Sequence, residues 1–320
     1  MSTPRRAPPG WPEVAVATFV DGPVRVTVPA TSANLGPGFD CLGLALGLRD
    51  ELVGTITGGG LTVETRGEGA GSVPTDESHL VVRAMRAAFD VMGAQPPGLS
   101  LTCTNAVPHS RGLGSSSSAI VGGICLARSL VAGGTLLMDD DACFQLAAFM
   151  EGHPDNVAPA FYGGFVISGQ EEDTFFAVPS GIDPRVSTVV FIPPTPVATS
   201  MARGLLPATV PHRDAAANAG RAALLVAALA GRPEHLWAAT RDLLHQDYRE
   251  PAMPDSLALV RALRADGVAA IVSGAGPTVL AFSTGSGGPG GTRELMARCP
   301  AGWTALDLPV ERRGALVSEA

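Results

Sequence analysis

The segment Val107-Pro-His-Ser-Arg-Gly-Leu-Gly-Ser-Ser-Ser-Ser-Ala119 concentrates chemistry in thirteen residues. Gly112 and Gly114 permit backbone angles that a side chain would block, so successive amides can turn toward one anion. Ser115, Ser116, Ser117 and Ser118 add hydroxyl donors. The apolar run after them reads as a helix, whose positive end and unpaired N–H groups favour the same anion. A strand-like run, Leu99–Thr104, leads in. These parts predict a cradle for a triphosphate. The chain contains no lysine; all 22 Lys+Arg positions are arginine. A Walker-type loop, which ends its glycine run with lysine, is therefore excluded, and so is a lysine Schiff base.

Composition narrows the class further. The 320 residues are 46% hydrophobic and 16% charged, enough for one large domain or two packed ones, and too apolar for wholesale disorder. A net charge of −8 argues against nucleic acid held by general electrostatics, so an anionic ligand must be met by a local device. The five cysteines have no metal-ligand spacing and read as reduced core residues of a cytoplasmic protein. No apolar stretch approaches the length of a membrane span.

The elements that must position the loop can be read from periodicity. Residues 1–12, rich in proline and arginine, predict a disordered N-terminus. Strands are expected at Val14–Val20, Val24–Val28, Glu51–Thr57, Leu61–Arg66 and Leu99–Thr104. A helix is expected over His79–Met92, another from about Ser117 to Val131, and a third capped by Asp139–Asp141 and ending near Met150. Beyond residue 170 come strands at Thr174–Val178 and Val186–Ile192, then helices at Asp214–Ala230, Pro233–Gln246 and Pro254–Asp266. Strands at Val268–Val272 and Thr278–Phe282, a Gly-rich loop at Ser283–Gly291, a short helix near Arg293–Arg298 and a strand at Trp303–Leu308 close the chain. Strands and helices without strict βαβ repetition predict an α+β protein of two sub-domains. The expected division is 13–170 for the half that carries the glycine-serine loop, 171–310 for the second, and 311–320 as a tail.

Three ordered motifs carry a resemblance. The pattern Pro108-x-x-x-Gly112-Leu-Gly-Ser-Ser-Ser117 resembles the phosphate loop of the GHMP kinases. Pro29-Ala-Thr-Ser-Ala-Asn-Leu-Gly-Pro-Gly-Phe-Asp-Cys-Leu-Gly43 lies before it, and Ser273-Gly-Ala-Gly-Pro-Thr278 after it. Within that superfamily the first motif, Glu151-Gly-His-Pro-Asp-Asn-Val-Ala-Pro-Ala160, Thr199-x-x-x-Arg203 and His245-Gln-Asp-Tyr-Arg249 are similar to the homoserine kinases. The resemblance implies the GHMP kinase fold: an N-terminal half like ribosomal protein S5 domain 2 and a ferredoxin-like C-terminal half. It also implies ATP and Mg²⁺ as cofactors, L-homoserine as substrate, threonine as a competitor and a homodimer.

Residue roles follow from the resemblance. Glu151 and Ser116 would hold Mg²⁺, which prefers oxygen ligands. Pro108, Ser110, Arg111, Gly112, Leu113, Gly114 and Ser115–Ser118, with Gly274 and Gly276 behind them, would meet the phosphates. Arg203 and Arg249 would take the substrate carboxylate, for which a guanidinium fork is suited. Asn34, Asp40, His153, Asn156 and Thr199 would line the rest of the amino-acid site, with Asp155 behind. His153 follows Glu151 by a single glycine, whereas other members insert several residues. Adenine would lie near Asp76–Leu80, where many relatives have asparagine and this chain has His79. Asp40 and Arg203 are the catalytic candidates, Asp40 as base or hydroxyl orienter; transfer without a protein base fits a loose transition state equally well. Two other functions stay open at this point: another GHMP-type small-molecule kinase, and a non-catalytic ligand sensor on the same fold.

Overall fold

The computed structural model describes residues 18–283 and 290–320. The segment 1–12, most of the expected strand at 14–20 and most of the loop at 283–291 lie outside the described residues. What is described of that first strand is a single bridge, Phe19 to Val131. In chain order the elements are β1 (Val24–Ala33), β2 (Leu42–Thr57), β3 (Gly60–Gly67), α1 (Leu80–Met92), β4 (Gly98–Asn105), α2 (Ser115–Leu130), α3 (Gly134–Leu137), α4 (Asp140–Glu151), α5 (Pro154–Tyr162), β5 (Phe165–Glu171) and β6 (Thr174–Ser180). There follow β7 (Ser187–Ile192), α6 (Thr199–Gly204), α7 (His212–Gly231), α8 (Leu236–Ala239), α9 (Pro254–Ala265), β8 (Ala270–Val272), β9 (Val279–Ser283), α10 (Thr292–Met296), β10 (Thr304–Pro309) and β11 (Leu316–Glu319).

The first sheet runs β11-β1-β2-β4-β3, and the start of β2 also pairs β5, which pairs β6. Among the described strands of this sheet only β3 and β4 pair in parallel. In β1, Val24, Val26 and Val28 point into the core while Arg25 and Thr27 are half-buried, as alternation demands. The register shifts between Pro29 and Ala30, and from there to Ala33 every residue is buried. Past that irregularity the second sub-domain covers the strand's other face, so alternation disappears. Helices α1, α2, α4 and α5 close the opposite side over a core of Val26, Met85, Phe89, Ile124, Leu126 and Phe144. Helix α2 is apolar almost all round because it lies under α1 and α4.

The second sheet is antiparallel with the order β10-β7-β9-β8. Counting its strands along the chain, the spatial order is fourth, first, third, second. Helices connect the first to the second and the third to the fourth. That is the ferredoxin-like arrangement, on the GHMP kinase fold expected from the motifs. Leu35, Leu44, Leu113, Val190, Ile271 and Leu280 form a separate apolar cluster joining residues of both halves.

Four local expectations are corrected. Strand β2 begins at Leu42, nine residues before the expected Glu51, because it serves β5 with one end and β4 with the other. Residues 174–180, read with the second half, form a hairpin with β5 on the first sheet. Residues 316–319, read as tail, are an edge strand on β1. The expected helix Pro233–Gln246 stops at Ala239. Downstream, Asp242 accepts from the backbone N–H groups of Leu244, His245 and Gln246, and this side-chain-to-backbone bonding competes with the helix.

Candidate active site

The glycine-serine loop leaves β4 held by a buried carboxylate. Asp50 on β2 accepts from the N–H groups of Ala106 and Val107 at 2.7 and 2.9 Å. Burial raises its pKa above the usual carboxylate range, and those two N–H groups pull it back. Gly112 and Gly114 have φ of +74° and +70°. A Cβ on Gly112 would stand 2.3 Å from the Ser273 carbonyl oxygen and 2.8 Å from that of Gly276. The Ser273–Thr278 turn therefore packs directly on the loop, and Ser273 Oγ donates to Gly112 O at 2.6 Å. Gly114 caps α2, and among the described residues no side-chain cap bonds the start of that helix. The glycine-serine loop runs directly into this helix start, and a helix N-terminus of that kind favours phosphate.

Ser116 and Ser117 both donate to Glu151 Oε1, at 2.6 and 2.9 Å. Glu151 is the last residue of α4, and Gly152 turns the chain there. Two serines of the loop behave differently: Ser118 donates to Pro29 O, a buried strut to β1, while Ser115 faces the cavity. Arg111 lines the cavity together with the loop. Its guanidinium bonds the carbonyls of His109, Pro193 and Pro194 and ties the loop to the segment after β7.

Past Glu151, Pro154 at the first position of α5 sets the helix start. His153 Nδ1 lies 2.7 Å from the buried carboxylate of Asp155. Burial alone would lower the His153 pKa, but the hydrogen bond to Asp155 and the charges of Asp155 and Glu151 raise it above its ordinary value. Asn156 Oδ1 accepts from Thr31 Oγ1 at 2.7 Å.

The first motif forms a tight bend. Asn34, Leu35 and Asp40 all have positive φ, a strain that Asn and Asp tolerate best. Asn34 closes the bend by accepting from Asp40 N and donating to Gly274 O. Thr199 opens α6 and Arg203 sits one turn later, on the same face. Arg203 donates to both oxygens of Asp40, at 3.2 and 2.7 Å. Arg249 is fully buried, its Nη1 donating to Gly274 O and His245 Nδ1, and nothing among the described residues accepts from its Nε. Both guanidinium carbons lie within 5.7 Å of the Phe39 ring centroid.

One cavity of about 470 Å³ takes in the loop from Ser110 to Ser116, Glu151, His153, Asn156, Thr199, Arg203, Arg249 and Gly274. Asp40, Ser117 and Gly276 adjoin that lining, Asp40 bonded to Arg203, Ser117 to Glu151 and Gly276 packed on Gly112. At the other end lie Val73, Pro74, Ser78, His79 and Asn105. His79 is buried, its Nδ1 has no hydrogen-bond partner among the described residues, and burial lowers its pKa. The arrangement can hold a polyphosphate at the α2 end and a small anion at Arg249, with hydroxyls and a carboxylate between. Sequence reasoning did not single out Thr31, Phe39, Asp50 or Ser273. Thr31, Phe39 and Ser273 stand inside the quoted motifs, which were the available signal; nothing in the sequence marks Asp50.

Residues 79–164 match the family model of the GHMP kinases N terminal domain. A homoserine kinase of Streptomyces coelicolor is 52% identical over 304 residues, 95% of this chain and 97% of that protein. One from Clavibacter michiganensis is 51% identical over 300 residues, 92% of this chain and 93% of that protein. Among solved structures, a homoserine kinase from Cytophaga hutchinsonii has a TM-score of 0.80 at 24% identity, covering 94% of this chain and 99% of that one. A mevalonate diphosphate decarboxylase from Staphylococcus aureus has 0.63 at 14% identity, covering 93% and 98%. The last two are likenesses of fold.

Proposed function

The chain belongs to the homoserine kinases of the GHMP kinase family, and from that premise we propose how its residues carry ATP-dependent phosphorylation of the L-homoserine hydroxyl, a step of threonine biosynthesis. The amides of Gly112–Ser115 and the first turn of α2 bind the phosphates. Adenine lies against Val73, Pro74 and His79. Arg249, buried and with no carboxylate partner among the described residues, takes the substrate carboxylate together with Arg203. As that carboxylate shares the Arg203 fork, an oxygen of Asp40 is released for the ammonium or the hydroxyl. Asn34, His153, Asn156 and Thr199 shape the remaining wall.

The convergence of Ser116, Ser117 and Glu151 on one oxygen fits Mg²⁺, a hard cation that takes one or two protein oxygens and fills the rest with phosphates and water. Ser116 and Glu151 would hold it, and it would neutralise charge on the phosphates. The loop amides and α2 do the same from the protein side without reorganising. Threonine, with the same two charges, competes for Arg203 and Arg249. All five cysteines are free thiols, which supports a reducing, cytoplasmic setting.

The observation that carries this reading is a single cavity joining the α2 N-terminus to the buried cation of Arg249. Phosphorus NMR and mass spectrometry on protein with ATP, Mg²⁺ and L-homoserine should show O-phospho-L-homoserine and ADP in equal amounts. Other alcohols in the same assay should turn over far more slowly. No phosphorylated product from homoserine would end the proposal.

A further inference from the structure

His245 lies between α8 and the 3₁₀ turn Asp247–Ala252, with no exposed surface. Its two ring nitrogens meet opposite demands. Nε2 stands 2.8 Å from Gly36 O, which can only accept. Nδ1 stands 3.0 Å from Arg249 Nη1, which can only donate. One state satisfies both: the neutral imidazole with its hydrogen on Nε2. The other tautomer would set two donors together at Arg249 and two acceptors together at Gly36. The charged ring would repeat the clash at Arg249.

The ring is fixed from other sides as well. Its backbone N–H donates to Asp242 Oδ2 at 3.0 Å, and the ring lies 5.2 Å from that of Phe39. Asp242 Oδ1 is 3.7 Å from Nε2, beyond hydrogen bonding, and its oxygens already accept from three backbone N–H groups. The neighbouring turn is pinned a second time, by Asn218 Nδ2 donating to Pro37 O at 2.8 Å. One imidazole thus links a buried cation to the bend that carries Asp40.

We infer that His245, as the neutral Nε2–H tautomer, is a positioning residue for amino-acid recognition. Its Nδ1 aims the Arg249 guanidinium into the cavity while its Nε2 ties Arg249 to the Gly36–Asp40 turn. The inference rests on the reading of Arg249 as the substrate's carboxylate ligand.

The test separates the two ring functions. The amide of Asn can fall near an imidazole Nδ1, and that of Gln near Nε2. His245→Gln removes the acceptor at Arg249, so the homoserine KM should rise about tenfold, with kcat and the ATP KM within about twofold of the parent. His245→Asn restores an acceptor there and should recover most of the loss. Arg249→Ala, measured alongside, distinguishes the two ideas. If it leaves the homoserine KM unchanged, the carboxylate reading fails; if it raises that KM while His245→Gln does not, the positioning role alone fails. A parallel rise in the ATP KM of His245→Gln would also overturn it, since that marks general damage. Should His245→Gln not fold by thermal melting, the decision passes to the parent enzyme. Long-range ¹⁵N spectra must then show a neutral, Nε2-protonated buried imidazole, and an Nδ1-protonated ring would refute the inference.

Discussion

The two arginines at the proposed amino-acid end differ in what the fold has already given them. Arg249 is buried among a carbonyl and an imidazole, and burial lowers its pKa. A cation held that way gains most from an arriving carboxylate. Arg203 is more than a third exposed and already paired with Asp40. Arg249→Ala should therefore raise the homoserine KM by roughly 10–100-fold and Arg203→Ala by about tenfold, with the ATP KM little changed in steady-state kinetics. Equal shifts in both substrates would reject the assignment. Asp40→Asn should lower kcat more than it raises the homoserine KM, because the charge is used after Arg203 is shared; near-normal turnover would remove Asp40 from the chemistry. The His153–Asp155 pair gives a stability signature. Since the pKa of His153 is raised, the pair's stabilisation is complete below the unfolded imidazole value of about 6.5 and is lost as pH rises through the folded value. Asp155→Asn should thus cost more in melting temperature at pH 6 than at pH 9, and an equal cost at both would sink the ion-pair reading. That Arg203, Arg249 and Asp40 stand close together was legible because their motifs are distinctive. Asp50 was not, because a single Asp in a strand looks like an outward residue until the N–H groups it caps are placed.

Elements decide how tightly the chemistry is held. The loop's shape depends on the Ser273–Thr278 turn as much as on its own glycines, since Ser273 O would lie 2.3 Å from a Cβ on Gly112. Gly112→Ala must move that turn and adopt a left-handed angle costing about 1–2 kcal/mol. We expect a melting temperature lower by several degrees, at roughly 2–4 °C per kcal/mol for a domain of this size. The ATP KM should rise more than the homoserine KM; an unchanged ATP KM would show that the loop amides do not bind the nucleotide. The loop and α2 could be read from the sequence because Gly, Ser and an apolar run are local signals. Helix α5 could not, because Pro159 inside it reads as a breaker although Pro154 opens it normally. The helix expected through residue 246 failed for the converse reason: Asp242 captures three backbone N–H groups that a helix would need.

At the scale of the whole molecule, the cavity lies where the two halves meet. The end that holds Arg203 and Arg249 is built by bringing the bend after β1 against residues from α6 to the Ser273–Thr278 turn. Asn34 to Gly274 spans 240 positions of sequence, and His245 to Gly36 spans 209. No local pattern encodes such contacts, which is why the ferredoxin-like half was legible as a succession of strands and helices while its clasp on the first motif was not. Composition imposes one further constraint on the whole chain. With a net charge of −8 and no lysine, every side-chain cation other than histidine is a guanidinium. An amine-acylating reagent can therefore reach only the chain's α-amino group and should leave activity intact. A guanidinium-selective dicarbonyl such as phenylglyoxal should inactivate. Arg203 is the exposed cation at the site, whereas Arg249 is shielded, so the loss should track modification at Arg203 in peptide mass mapping. Homoserine should slow it more than ATP does, because the carboxylate occupies the fork. Loss of activity that homoserine leaves unslowed, with Arg203 unmodified, would mean that the essential guanidinium lies elsewhere.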